Sequence, residues 1–195
     1  RARIAVVPNG VDLETVRPRS TPTDIDLLFV GNMGYPPNAD AAEVLVREVL
    51  PLVRERYPQA RVLIAGATPT ARVRRLAGIG IEVTGWVDDI AACYARTRVF
   101  VNPMRFGTGL QNKLLQAMAM GVPCVSTPMG DRALRAAPDG LRIAADRETL
   151  AAACVELLAD PVAALELGLA GQRFVASNYG WSNAVGQLER VLLSP

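Results

Sequence analysis

Histidine is absent from the 195 residues, and lysine occurs once. Without an imidazole the chain can supply no Ser-His-Asp or Cys-His triad, no HExxH zinc site and no histidine acid or base. Cysteine is scarce: Cys93, Cys124 and Cys154 lie about thirty residues apart, an odd number with no CxxC pair. That spacing excludes a disulfide framework and a thiolate metal site, and reads as reduced thiols buried like small hydrophobes in a cytosolic protein. A surplus of one charge is also missing, since 21 basic residues face 19 acidic ones for a net +2. No electrostatic footprint for nucleic acid results, and no nucleic-acid partner is expected. No apolar run reaches the roughly 18 residues of a membrane span, and no signal peptide is visible, so no integral membrane segment is expected. Chemistry on this chain therefore falls to carboxylates, lysine, arginine, backbone dipoles or another chain.

Half the residues are hydrophobic and 21% are charged, enough for a sizeable core in one large domain or two small ones. Short apolar runs at 4–7, 25–30, 61–65, 81–84, 98–102, 122–126 and 140–143 are rich in β-branched or aromatic residues and close on Gly, Pro or Asn, as strands do. Several are apolar at consecutive positions, which suits strands covered on both faces. Helices are expected between them. Asn38 caps one reaching about Arg56 that Pro51 should kink or shorten, and Thr68-Pro69 opens another over 69–77. Further helices are expected at 89–97 behind Asp88 and Asp89, at 110–120 up to Gly121, from Asp146 to about 159, from Pro161 to about 177, and over 181–193. The alternation predicts an α/β fold, a Rossmann-like doubly wound parallel sheet flanked by helices, with extra C-terminal helices. The polar, Pro-rich stretch 8–24 reads as a linker.

Ligands of open α/β sheets bind at the carboxyl ends of the strands. Three such ends carry unusual residues: Gly31-Asn32-Met33-Gly34, Gly66-Ala67, and the segment Pro103 to Lys113. In the last, Gly107 and Gly109 precede a helix start, so free backbone N–H groups and the positive end of a helix dipole converge on one point. Thr108 adds a hydroxyl, and Lys113, the single lysine against 20 arginines, lies about one turn into the helix. This arrangement suits a phosphate or diphosphate. The bland alternative is an ordinary strand-to-helix turn with a solvated lysine. The loop is neither a Walker loop, for no GK[ST] follows, nor a dinucleotide fingerprint. Gly31 and Gly34 either admit a ligand or simply end a strand. Trp86 either backs a base ring or packs on the core as a rim aromatic. Tyr179 and Trp181 are assigned to the core, and Asp88, Asp89, Asp131 and Asp146 to helix caps.

Five segments in order carry a resemblance: VVPNGVD at 6–12, FVGNMGYPPNADA at 29–41, VTGWVDDIAACYA at 83–95, VNPMRFGTGLQNKLLQAMAMGVPCVST at 101–127 and FVASNYGWSNAVGQLERV at 174–191. Together they resemble the C-terminal, donor-binding half of retaining glycosyltransferases of the GT-B architecture, family four or group 1. The resemblance implies a nucleotide-sugar donor, a UDP- or GDP-sugar, held without a metal in a cleft between two Rossmann-like domains. It implies a diphosphate on Gly107, Thr108, Gly109, Leu110, Gln111 and Asn112 with Lys113 as the catalytic cation, a ribose at Gln116, and a base near Gly66 and the Gly85-Trp86-Val87 turn. Gly31, Asn32 and Gly34 would complete the donor site.

Two departures stand out. Where the family often carries a Glu-x7-Glu pair, this chain has Thr108 and Gln116, and Gln116 forfeits a charge-assisted bond to ribose. The Arg and Lys that often follow the domain's first glycine are replaced by Asn32 and Asn38. Arg105 is a candidate replacement cation, the alternative being a surface arginine. Because the chain begins at Arg1, it reads as a fragment. Residues 1–24 form an interdomain linker and first strand, 25–178 the nucleotide-sugar domain, and 179–195 a helix crossing back to a missing N-terminal, acceptor-binding domain. The fragment alone is expected to be inactive, and the full enzyme cytoplasmic with peripheral association at the inner membrane face. A degenerate, non-catalytic GT-B-like module is the competing reading. A nucleotide-sugar epimerase or a dehydrogenase fits the segments poorly.

Overall fold

The computed structural model describes residues 5–137 and 139–193. Six parallel strands, β1 (Ile25–Val30), β2 (Val62–Ala65), β3 (Ile81–Val83), β4 (Thr97–Asn102), β5 (Cys124–Ser126) and β6 (Arg142–Ile143), form one sheet in the order β3-β2-β1-β4-β5-β6. The order reverses between β1 and β4, which places the switch point of the doubly wound sheet at their carboxyl ends. Register follows the apolar runs, with Leu27 opposite Val62 and Val99, and Phe100 opposite Cys124.

Both faces of the sheet are covered, as consecutive apolar residues require. Leu27, Phe29, Val62, Ile64, Val99 and Val101 meet α1 (Pro36–Val44), α2 (Leu50–Arg54) and α7 (Arg147–Ala159) on one face. Leu28, Val30, Leu63 and Phe100 meet α4 (Ile90–Ala95) and α5 (Asn112–Ala119) on the other. Two short helices, α3 (Ala71–Arg74) and α6 (Pro128–Asp131), fill connections, and α8 (Pro161–Tyr179) and α9 (Trp181–Leu193) close the chain. No helix among the described residues is long and apolar enough to cross a membrane.

Several expectations are corrected. Of the apolar run 4–7, residues 5–7 are not a strand: they have no neighbouring strand to pair with and Val6 is 85% exposed, while residue 4 lies outside the described residues. Without ladder partners a strand's backbone groups stay with solvent. Among the described residues the pairing nearby is a bridge from Val11 to Gly180. Asn38 does not cap α1, because Tyr35 holds that position and Pro36 and Pro37 form the first turn. Beyond Pro51 the helix runs only to Arg54, two residues short of the expected Arg56. A π-helical turn at Leu45–Val49 widens the spiral just ahead of Pro51 and accommodates the ring and the missing N–H. Thr70, not Thr68, caps α3, accepting from the Val73 N–H at 3.3 Å, and the helix stops at Arg74. Helix α5 begins at Asn112, later than the expected 110. Trp181 is not core: it rests on Gly10 yet remains 55% exposed. Tyr179 is half-buried, its hydroxyl donating to the Leu134 carbonyl at 3.1 Å.

Candidate functional site

A cavity of about 530 Å³ opens at the carboxyl ends of β1 and β2, closed on its far side by the start of α5. Its floor is the turn after β1 and the turn after β2. These backbones meet closely enough that a Cβ on Gly66, which has φ +132°, would stand 2.1 Å from the Gly31 carbonyl oxygen. No other residue fits there. The turn at 31–34 is braced by Asn32, whose Oδ1 accepts from the Gly34 N–H at 2.9 Å and from the Thr68 hydroxyl. Thr68 supports that contact from a left-handed conformation, φ +51°.

Of the residues expected from the sequence, Gly31, Asn32, Gly66, Trp86 and Val87 line this cavity from one side, and Asn112, Lys113 and Gln116 from α5. Trp86 is 77% exposed, so core packing is not its role, and its indole N–H donates to Asp88 Oδ1 at 3.0 Å. Gln116 Oε1 lies 3.3 Å from the hydroxyl of the buried Tyr94, which also donates to the Lys113 carbonyl at 3.0 Å.

Lys113 is the electrostatic centre. Its stem starts on the α5 side of the sheet and its ammonium crosses the end of β1 to residues of the α1 side. It donates to Asn38 Oδ1, sits 3.1 Å from Met104 Sδ, and lies 4.8 Å from the centre of the Phe29 ring. Among the described residues no carboxylate pairs with it. Burial pushes its pKa down to about 8. A half-buried ammonium with only neutral partners favours any anion that enters. The α5 N-terminus adds to this. Gln111 occupies the N-cap but spends its amide on the Gly109 carbonyl at 3.3 Å, so no side chain caps the first turn. The Leu114 and Leu115 N–H groups donate to the Gln111 carbonyl, so the N–H groups of Asn112 and Lys113, with the helix dipole, are what the first turn offers a ligand.

The remaining expected residues do not line this cavity. Gly107 (φ +149°), Thr108, Gly109 (φ +74°), Leu110 and Gln111 form the loop that aims α5, and Gly34 lies beyond the turn that Asn32 braces. Arg105 is turned away. Asp40 holds it in a two-pronged ion pair, with Glu48 at 3.9 Å, and it borders a separate cavity of about 290 Å³ with Thr127 and Asp146. Phe29, Tyr94 and Asp88 belong to the site but were not singled out for it from the sequence, where Asp88 read as a cap. Met104 lay inside the flagged segment Pro103 to Lys113, and Asn38 read as a cap and as a departure from the family's basic residues.

A family model of glycosyl transferases group 1 matches residues 24–160. The phosphatidyl-myo-inositol mannosyltransferase of Mycobacterium tuberculosis is 30% identical over 207 residues, covering 95% of this chain and 52% of that protein. The GDP-mannose-dependent alpha-(1-6)-phosphatidylinositol monomannoside mannosyltransferase of Mycobacterium tuberculosis is 27% identical over 212 residues, covering 96% of this chain and 55% of that protein. The chain thus spans about half the length of these relatives. In fold it is similar to Anabaena Alr3699/HepE, solved in complex with UDP-glucose, with a TM-score of 0.79 at 13% identity over 98% of this chain and 57% of that one.

Proposed function

The chain belongs to the glycosyl transferases group 1, and we propose that it is the half of such an enzyme that binds the nucleotide-diphosphate-sugar donor. The observation that carries this reading is Lys113, a half-buried cation without a carboxylate partner, beside an uncapped helix start at the switch point of the sheet. A diphosphate seated there meets the ammonium and the first-turn N–H groups of α5. When the bond from sugar to phosphate breaks, charge builds on the leaving diphosphate, and those same groups stabilise it without a metal. Gln116 is placed for the ribose and the Trp86-Val87 turn for the base. The acceptor hydroxyl that attacks the sugar comes to a domain outside this chain, toward which α9 would cross, so this chain alone transfers nothing.

The relatives named for mannosyl transfer, GDP-mannose and phosphatidylinositol make GDP-mannose the first donor to test. A lipid acceptor would place the whole protein at the cytoplasmic membrane face. In thermal unfolding with EDTA present, millimolar GDP or UDP should raise the melting temperature by several degrees, and Lys113→Ala should remove most of that shift. No shift with GDP, UDP or ADP overturns the reading.

Two observations favour a second reading, a non-catalytic module that keeps the fold. Position 116 is a neutral amide, and the other nearby cation, Arg105, is consumed by Asp40. Hydrolysis of a nucleotide-sugar by the full-length protein would dispose of it.

A further inference from the structure

We infer that Asn38 is the positioning residue of the anion site: its amide ties the Lys113 ammonium to the glycine turn after β1 and, with Met104 and Phe29, seats that cation without neutralising it. The inference rests on the donor-binding reading for its function, and on geometry of its own for the seat. Asn38 is only 6% exposed although polar, and both ends of its amide are used. Nδ2 donates to the Asn32 carbonyl at 2.9 Å, and Oδ1 accepts from Lys113 Nζ. The space for this amide is made by position 31, where a Cβ would stand 2.7 Å from Asn38 Nδ2.

The chemistry of the seat is specific. An amide oxygen, a thioether and an aromatic face each stabilise an ammonium, and none carries a charge that would compete with an incoming diphosphate. The same helix shows the opposite arrangement twice, since Asp40 pairs with Arg105 and Glu43 with Arg72. Helix α1 therefore neutralises two arginines and leaves the lysine at the cavity unneutralised. The other ionisable groups around Lys113 are Asp88 on the cavity wall, engaged by Trp86, the buried Tyr94 against α5, and the pair between Asp40 of α1 and Arg105 of the loop after β4.

Because the chain has one lysine, protein labelled with 13C at lysine Cε gives a single lysine resonance, and its pH titration reads Lys113 alone. The titration and the dissociation constants of GDP and UDP are measured on wild type, Asn38→Asp and Asn38→Ala. Asn38→Asp sets a carboxylate against the ammonium. It should raise the titration midpoint by about one pH unit or more and weaken nucleotide about tenfold or more. Asn38→Ala removes the tether and should weaken nucleotide about fivefold. An unchanged midpoint in Asn38→Asp, with unchanged affinity, overturns the inference. If that variant fails to fold, unchanged affinity in Asn38→Ala overturns it equally. Should wild type bind neither nucleotide while Asn38→Asp still moves the midpoint, the donor reading fails and the seat on Asn38 stands.

Discussion

At the scale of the residue, function concentrates on one ammonium. Lys113 is pushed down to about 8 by burial, so it is charged below that pH and neutral above it. A bound diphosphate favours the charged form. Affinity for GDP or UDP should therefore be level with respect to this group below about pH 8 and fall about tenfold per unit above it. Lys113→Arg should abolish the break, since a guanidinium stays protonated throughout. Calorimetric titrations on either side of that pH check this, and a break of the same size in Lys113→Arg would show that another group is responsible. The importance of Lys113 was legible in the sequence, because a single lysine stands at a glycine-rich helix start. Its seat was not. Phe29, Asn38 and Met104 come from a strand, a helix and a loop up to 84 positions away (113 minus 29), and no local pattern links them. Arg105 shows the converse: its place in the loop suggested a second cation for the site, and Asp40, 65 positions earlier, claims it instead.

At the scale of the element, the site depends on how closely two turns approach. Gly66→Ala should cost about 2–5 kcal/mol, from a strained backbone and from overlap with the Gly31 carbonyl. A lowered melting temperature with reduced nucleotide binding is the expected result, and a drop below about 2 °C would show that the turns yield easily. Strands and helices were mostly legible, since paired apolar runs and cap residues act locally. The failures share a cause. Residues 5–7 have strand composition but no strand to pair with, and Asn38 has a capping side chain that instead reaches the Asn32 carbonyl and Lys113. Thr68 has a capping side chain, yet it is drawn to Asn32, 36 positions away. In each case a tertiary neighbour, or the lack of one, outweighed the local preference.

At the scale of the whole molecule, α9 leaves Trp181, Val185, Leu188 and Leu192 exposed on one helical stripe. Such a stripe makes a surface prone to association. Leu188→Glu together with Leu192→Glu should leave the melting temperature of this chain within about 2 °C, because neither side chain is core. The pair should also reduce concentration-dependent scattering. A large fall in stability would show that α9 is held through these residues. The stripe is where the proposed second half of the enzyme would meet this one.

Composition and order alone determined the class of molecule: a parallel α/β sheet from consecutive apolar runs, no imidazole chemistry, and one lysine beside a helix start. These are properties of each residue and its near neighbours. Only the tertiary structure decided what that lysine is. A cation's chemistry depends on which charges lie within a few ångströms and on how much water remains. Asn38 rather than a carboxylate reached Lys113, while carboxylates reached Arg105 and Arg72. That assignment is made by the packing of α1 across the end of β1, and no stretch of sequence contains it.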